Sequence, residues 1–171
     1  MKVSDIKKVL VVGSGGREHS LIRKLCEAGK KIEIICAPGN GGISEIAECV
    51  PISATDVNGM VRFAKEREID FCIVTPDDPL ALGMVDAMEA AGIAAFGPTA
   101  AAAQIESSKI FSKELMERAN IPTAKSKVFS DFDDAIDFVS IMGFPVVIKA
   151  DGLAKGKGVI IAKDMEEAYR A

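Results

Sequence analysis

Aromatic and sulfur-containing side chains with obvious chemistry are scarce in this chain. Its 171 residues include no tryptophan, one tyrosine, one histidine and four cysteines. The cysteines, at positions 26, 36, 49 and 72, form no Cys-x-x-Cys pair, which argues against a zinc site or a disulfide framework. We therefore expect buried free thiols in a reducing, cytoplasmic environment.

Long apolar runs and an excess of positive charge are also missing. No apolar run approaches the ~18 residues of a membrane span, and the apolar run 9–12 is too short for a signal-peptide core. The net charge of −4 argues against a broad nucleic-acid surface, which needs a basic field. Hydrophobic residues make up 49% of the chain, enough for a real core. We expect a globular protein that binds neither nucleic acid nor membrane.

Short β-branched runs alternate with helical patterns through the first hundred residues. Strands are predicted at 8–12, 32–36, 49–52, 70–75 and 93–96. Between them, apolar residues recur at helical spacing after Arg17, after Asp56 and around Met84. This alternation predicts an α/β fold with a Rossmann-like, doubly wound parallel sheet. The loops after residues 12, 36 and 75 should then line one pocket, because ligands bind at the carboxyl ends of such strands.

The pattern changes after Gly97. A helical stretch runs to Ile121, where Pro122 ends it. A strand at 127–129, a helix from Phe132 and a hairpin over 146–162 follow. We place the domain boundary near Pro122, with domains at 1–122 and 123–171. The second is too short to bury a stable core easily, which indicates the beginning of a larger domain.

Two glycine-rich loops follow the first two strands. They read VVGSGGREH (11–19) and APGNGG (37–42), and both expose backbone N–H groups that suit a phosphate or a sugar. A dinucleotide fingerprint would need glycine where Glu18 stands and an acid after the second strand, where Ala37 stands. These residues argue against a nicotinamide-dependent oxidoreductase. A tight strand-to-helix turn that binds nothing is the simpler alternative for the first loop.

Two further features lie near these loops. Asp77 and Asp78, in the stretch TPDDPL, could hold ribose hydroxyls or a substrate amine, or could cap a helix. His19, the single histidine, has no nearby histidine or cysteine in sequence with which to form a metal site or a nucleophilic triad. A structural role is the more ordinary interpretation of this residue.

The hairpin VVIKADGLAKGKGVIIA (146–162) places Lys149 in an apolar strand before a glycine- and lysine-rich turn. A buried ammonium needs an anion, and Asp151 is close in sequence. Backbone N–H groups and lysines could form a flap over a polyphosphate. It is not a Walker A loop, because a strand and not a helix follows. A solvated hairpin turn is the alternative.

Four ordered motifs together carry a family resemblance. VLVVGSGGREHSL, APGNGG, FGPTAAAAQIESSKIFSKELMERANIPTA and VVIKADGLAKGKGVIIA resemble the N-terminal part of the phosphoribosylamine–glycine ligase (glycinamide ribonucleotide synthetase) family, in the ATP-grasp superfamily. The resemblance implies that ATP phosphorylates glycine and that the amine of 5-phosphoribosylamine attacks the glycyl phosphate, giving glycinamide ribonucleotide, ADP and phosphate in purine biosynthesis. It implies the beginning of an ATP-grasp domain in the second part of the chain.

The resemblance also implies site residues. The ATP-contacting set would be Lys109, Lys149, Gly152, Lys155, Gly156, Lys157 and Gly158. The phosphoribosylamine set would be Gly13, Ser14, Gly15, Gly16, Arg17, Gly39, Asn40, Gly41, Gly42, Asp77 and Asp78. The family often has Pro-Glu-x-Pro-Leu where this chain has aspartates at 77 and 78.

Members of the family are considerably longer than this chain. The Mg²⁺ carboxylates and the glycine-binding residues are therefore expected downstream of Ala171, and the 171-residue chain alone is expected to be inactive. Two alternatives remain open: another ATP-grasp enzyme of purine metabolism, and a non-catalytic nucleotide-binding domain.

Overall fold

The computed structural model describes residues 6–29, 31–154 and 156–171. They form two compact units that divide between Gln104 and Ile105. The proline signal in the sequence predicts a later boundary, near Pro122. The helix Lys109–Arg118 lies between these two positions, and its first turn is hydrogen-bonded to Asp151. These bonds tie the helix to the second unit, whereas a proline signal reports only where a helix must end.

The first unit is built on a parallel sheet of five strands. The strands are β1 (Lys8–Gly13), β2 (Glu33–Pro38), β3 (Glu48–Cys49), β4 (Phe71–Val74) and β5 (Ala94–Phe96). Their order is β3-β2-β1-β4-β5, with all neighbours parallel. This is the doubly wound arrangement that the alternating pattern predicted, so the fold-class prediction is confirmed.

Helices cover the sheet and bury its apolar residues. They are α1 (Gly16–Glu27), α2 (Val57–Glu66), α3 (Asp77–Ala81), α4 (Met84–Ala90) and α5 (Ala100–Ser107), which crosses into the second unit. Asp56 caps α2 as predicted, accepting a bond from the Gly59 N–H at 2.9 Å. Leu10 and Val12 belong to one core cluster, and Val9 and Val11 belong to a second. Successive residues of the central strand therefore point into opposite cores, which holds β1 rigidly.

Three details of the first unit differ from the sequence prediction. The predicted helix after Thr75 is two helices, because Gly83 adopts a left-handed conformation with φ of +80° between them. The predicted strand 49–52 is only two residues long, Glu48–Cys49. Cys26 is exposed and Cys49 is partly exposed, so only Cys36 and Cys72 are the buried free thiols that we expected.

The second unit is a small helix-and-hairpin structure. Its elements are α6 (Lys109–Arg118), α7 (Phe132–Met142), β6 (Val146–Lys149), β7 (Val159–Ala162) and α8 (Met165–Arg170). The two strands pair antiparallel, with Lys149 opposite Val159. A small core forms between the hairpin and α7 and α8, around Val139, Ala162 and Ala168.

The predicted strand at 127–129 is wrong, because these residues are irregular. The ring of Phe129 instead lies 5.2 Å from that of Phe138 in α7. The ammonium of Lys127 lies over both rings. The segment is held by side chains and has no strand partner in the part of the chain that the structure describes.

Candidate functional site

The carboxyl ends of the first unit's strands bring the two glycine loops together. In the parallel register Gly13 lies opposite Pro38, so both loops leave the sheet at the same level. The Gly39 N–H donates to the Gly13 carbonyl at 3.0 Å. The Asn40 amide donates to the Ser14 carbonyl at 2.8 Å and accepts from the Ile43 N–H at 3.0 Å. Asn40 therefore fixes one loop against the other.

A buried carboxylate connects the first loop to the loop after β4. Glu18 is 3% exposed, and among the described residues it is the single charged side chain that is buried. Its Oε2 accepts from the Gly15 N–H at 2.5 Å, and its Oε1 accepts from the Thr75 hydroxyl. In the sequence pattern, Glu18 is evidence only against a dinucleotide site. An acid at the third position of a helix is a capping-box signal that would have indicated the first bond, but not the second.

The Glu18–Thr75 bond lies at the point where the strand order reverses. β1 has β2 on one side and β4 on the other, and this switch point is where doubly wound sheets bind ligands. Gly13 fits here because it has no side chain. A Cβ on Gly13 would lie 2.8 Å from Glu18 and Pro76, and its φ is +132°.

A cleft of about 590 Å³ opens beside this point, at the ends of β4 and β5. It is lined by Arg17, Val74, Thr75, Leu80, Ala95, Phe96, Gly97 and Pro98. Of the predicted substrate set only Arg17 contributes to it. Nothing in the sequence indicated a lining from β5, because the exposure of the Phe96 ring depends on what the fold leaves uncovered.

The remaining predicted residues of the first unit lie around this edge. Asp77 and Asp78 are partly buried and form the first turn of α3, so the N-cap position belongs to Pro76 and not to an aspartate. Carboxylates in the first turn of a helix interact favourably with its dipole and stabilise it. The imidazole of His19 packs against Gly42, where a Cβ would come within 2.6 Å of its Cε1. This contact fits the structural interpretation of His19.

Lys149 occupies a different environment from the one expected. The sequence suggested a buried lysine, but Lys149 is exposed at the end of β6. Val147 shares its face of the hairpin, together with Val159 and Ile161, and these three side chains are 48–60% exposed. The hairpin therefore presents an apolar, solvent-accessible face with an ammonium at one end.

Asp151 is bonded to the first turn of α6 and not to Lys149, the partner that the sequence suggested. Its carboxylate accepts bonds from the Lys109 N–H at 2.7 Å, the Ile110 N–H at 3.2 Å and the Ser108 hydroxyl at 3.3 Å. The backbone N–H groups, that of Ile110 foremost, hold the pKa of Asp151 below its usual value. The ammonium of Lys109 donates to the Gly152 carbonyl at 2.8 Å.

The loop of the hairpin carries the other predicted ATP residues. Gly152 and Gly156 have positive φ, and Lys157 is exposed. The Lys157 N–H donates to the Ala154 carbonyl at 2.9 Å, which folds the loop back on itself. Lys155 lies outside the described residues.

The described residues contain no group of three or more His, Cys, Asp or Glu side chains placed to hold a metal ion. Within the same residues no helix has the length and apolar character needed to cross a membrane.

Comparison with known proteins identifies relatives of both units. Residues 7–106 match the family described as phosphoribosylglycinamide synthetase, N domain, and residues 107–171 match its ATP-grasp (A) domain. The phosphoribosylamine–glycine ligase of Listeria monocytogenes serotype 4b (strain F2365) is 54% identical over 164 residues. That alignment covers 95% of this chain and 39% of the relative, so the chain spans about two fifths of that relative's length.

Solved structures include one relative of the same name and a more distant protein that shares the fold. The phosphoribosylamine–glycine ligase of Thermotoga maritima has a TM-score of 0.74 and 27% identity, and the match covers 95% of this chain and 38% of that one. The biotin carboxylase domain of Hydrogenobacter thermophilus 2-oxoglutarate carboxylase has a TM-score of 0.78 at 23% identity, covering 96% of this chain and 39% of that one, and shares the fold. The resemblance carried by the four sequence motifs is confirmed, and the chain belongs to the phosphoribosylglycinamide synthetase family.

Proposed function

We propose that the whole protein ligates glycine to 5-phosphoribosylamine with consumption of ATP, giving glycinamide ribonucleotide, ADP and phosphate. The observation that carries this proposal is 54% identity over 164 residues to a relative named as that ligase. A carboxylase function has weaker support, because the carboxylase neighbour is 23% identical.

The proposed reaction has two steps. A glycine carboxylate oxygen attacks the γ-phosphorus of ATP, and ADP leaves as glycyl phosphate forms. The amine of phosphoribosylamine then attacks the acyl carbon, the bond to phosphate breaks, and the amine loses a proton. Catalysis of this kind depends on positioning and on neutralising phosphate charge.

The first unit would bind phosphoribosylamine through the predicted set. Its members are Gly13, Ser14, Gly15, Gly16, Arg17, Gly39, Asn40, Gly41, Gly42, Asp77 and Asp78. The shared edge of the two glycine loops supports this assignment. The exposed Arg17 beside the cleft suits an anionic group, and the aspartates suit ribose hydroxyls or an amine. Because its amide bonds are already used between the loops, Asn40 would act by holding their shape.

The second unit would bind the ATP phosphates through lysines and loop N–H groups. The set is Lys109, Lys149, Gly152, Lys155, Gly156, Lys157 and Gly158. The exposed face that carries Lys149 supports the assignment. Its apolar side chains suit an adenine ring, and the Lys149 ammonium suits the phosphate chain. Mg²⁺ accompanying ATP would neutralise phosphate charge. We place its ligands in the part of the relatives' length that this chain does not span.

The test uses the protein in the form that its gene encodes. Product formation should require ATP, glycine and phosphoribosylamine, each checked by omission. Replacing Lys149 with alanine should raise the KM for ATP at least about tenfold, since a lost charge-assisted bond is enough for that change. Lys163, an exposed lysine just after β7, provides the matched control, and its alanine variant should keep the wild-type KM.

Three outcomes would contradict parts of the proposal. A wild-type protein that forms no glycinamide ribonucleotide refutes the ligase function. Equal KM values for ATP in Lys149→Ala and the wild type would show that Lys149 does not contribute to ATP binding. Detectable product from the 171-residue chain alone refutes the expectation that it is inactive.

A further inference from the structure

Asp151 joins the start of the hairpin loop to the first turn of α6. Both of its oxygens lie 3.3 Å from the Ser108 hydroxyl. One of them also accepts from the backbone N–H groups of Lys109 and Ile110, at 2.7 and 3.2 Å. These partners are 41 to 43 positions away in sequence, so the bonds are tertiary contacts and not a local turn.

A second bond runs the other way between the same two segments. The Lys109 ammonium reaches across to the Gly152 carbonyl at 2.8 Å. The first turn of α6 and residues 151–152 are thus connected by backbone and side-chain bonds together. Such a double connection restricts both the loop's origin and the Lys109 side chain.

The charge of Asp151 also decides where an anion can bind. Its carboxylate already satisfies N–H groups at the N-terminus of a ten-residue helix. A ligand phosphate would have to displace it to use those donors. The lysine ammonium groups, with three N–H donors each, remain available to a phosphate.

We propose that Asp151 is a positioning residue that holds α6 and the hairpin loop together, and so sets where Lys109 and Lys149 meet the ATP phosphates. Asp151 itself does not touch the nucleotide. This inference rests on the proposed ATP site in the second unit, and adds to it a residue that neither the lysine pattern nor the glycine pattern indicates.

The chain offers a matched control in Asp131. Asp131 caps α7 in the same unit, accepting from the Asp133 and Asp134 N–H groups at 2.9 and 3.1 Å. Among the described residues no bond connects it to the hairpin loop. Alanine at 131 or 151 removes a capping carboxylate and should lower Tm comparably. Asp151→Asn keeps an acceptor oxygen without the charge, and provides a milder variant.

The variants are compared in the protein as its gene encodes it, by steady-state kinetics and by amide hydrogen exchange. Asp151→Ala should raise the KM for ATP about tenfold, as loss of bonds to a charged group permits, and leave the KM for phosphoribosylamine unchanged. The KM for ATP of Asp151→Asn should lie between those of Asp151→Ala and the wild type. In Asp151→Ala, hydrogen exchange should accelerate at the Lys109 and Ile110 amides. The control variant Asp131→Ala should keep the wild-type KM for ATP.

The possible results separate this inference from the function on which it rests. If the wild type does not turn over or bind ATP, the proposed function is refuted, and the inference with it. If the wild type is active but Asp151→Asn and Asp151→Ala keep its KM for ATP, the positioning role alone is refuted. An equal rise in KM for Asp131→Ala would also overturn it, because any lost helix cap would then suffice.

Discussion

Removing the Glu18 carboxylate tests whether the switch point of the first sheet is held by one buried side chain. Glu18 accepts bonds from the Gly15 N–H and the Thr75 hydroxyl while 3% exposed. Loss of bonds to a buried charged group costs about 1.5–3 kcal/mol each, offset by relief of the desolvated charge. We therefore expect Glu18→Ala to destabilise the first unit by about 3 kcal/mol.

Thr75→Val should cost about 2 kcal/mol, because it leaves one carboxylate oxygen without its donor. If the two residues act through their shared bond, the double variant should cost about 1–2 kcal/mol less than the sum of the single variants. Glu18→Gln should be milder than Glu18→Ala, since a glutamine amide can accept from the Gly15 N–H while donating to the Thr75 hydroxyl.

Native-state hydrogen exchange of the fully buried β1 amides, Leu10 to Val12, measures this stability for the first unit by itself. Glu27→Gln is the control in the same helix, because Glu27 is half-exposed and its ion pairs with Arg23 and Lys24 lie on the surface. Its effect should stay within about 0.5 kcal/mol. Additive effects of Glu18→Ala and Thr75→Val would refute the coupling, and a cost below about 1 kcal/mol for Glu18→Ala would refute the bridging role.

Two further predictions concern stability. Gly13→Ala should destabilise the first unit by about 2 kcal/mol or more, because the new Cβ meets Glu18 at 2.8 Å with φ at +132°. Gly16→Ala, with no atom within 4 Å of its Cβ, should be neutral or stabilising by the same exchange measurement. Two backbone N–H bonds lower the pKa of Asp70 in the folded state. The ionised Asp70 therefore stabilises the folded protein above the unfolded-state pKa, and this stabilisation is lost as pH falls through the lower folded-state pKa. In urea unfolding between pH 5 and 2, Asp70→Asn should lose less stability on acidification than the wild type. Equal pH dependence of the two proteins would exclude the contribution of Asp70.

Local sequence patterns were sufficient to predict much of the first unit. Apolar β-branched runs and helical spacing predicted β1, β2, α1 and the Asp56 cap close to their observed bounds. Glycine-rich stretches after strands predicted that two loops share one edge. These features follow from short-range preferences, namely side-chain periodicity, capping and backbone freedom at glycine, which can be read without knowing which segments meet.

The remaining features depend on partners distant in sequence. The Glu18–Thr75 bond, the cleft beside Phe96 and the Asp151 connection to α6 join residues separated by tens of positions. Lys149 was expected to be buried because its strand is apolar, but burial depends on what covers a strand, and in the described residues α7 and α8 pack on only one face of the hairpin. The sequence by itself determined most elements of the first unit and the family. Tertiary structure decided which polar groups meet, because hydrogen bonds and burial require segments to be brought together by the fold.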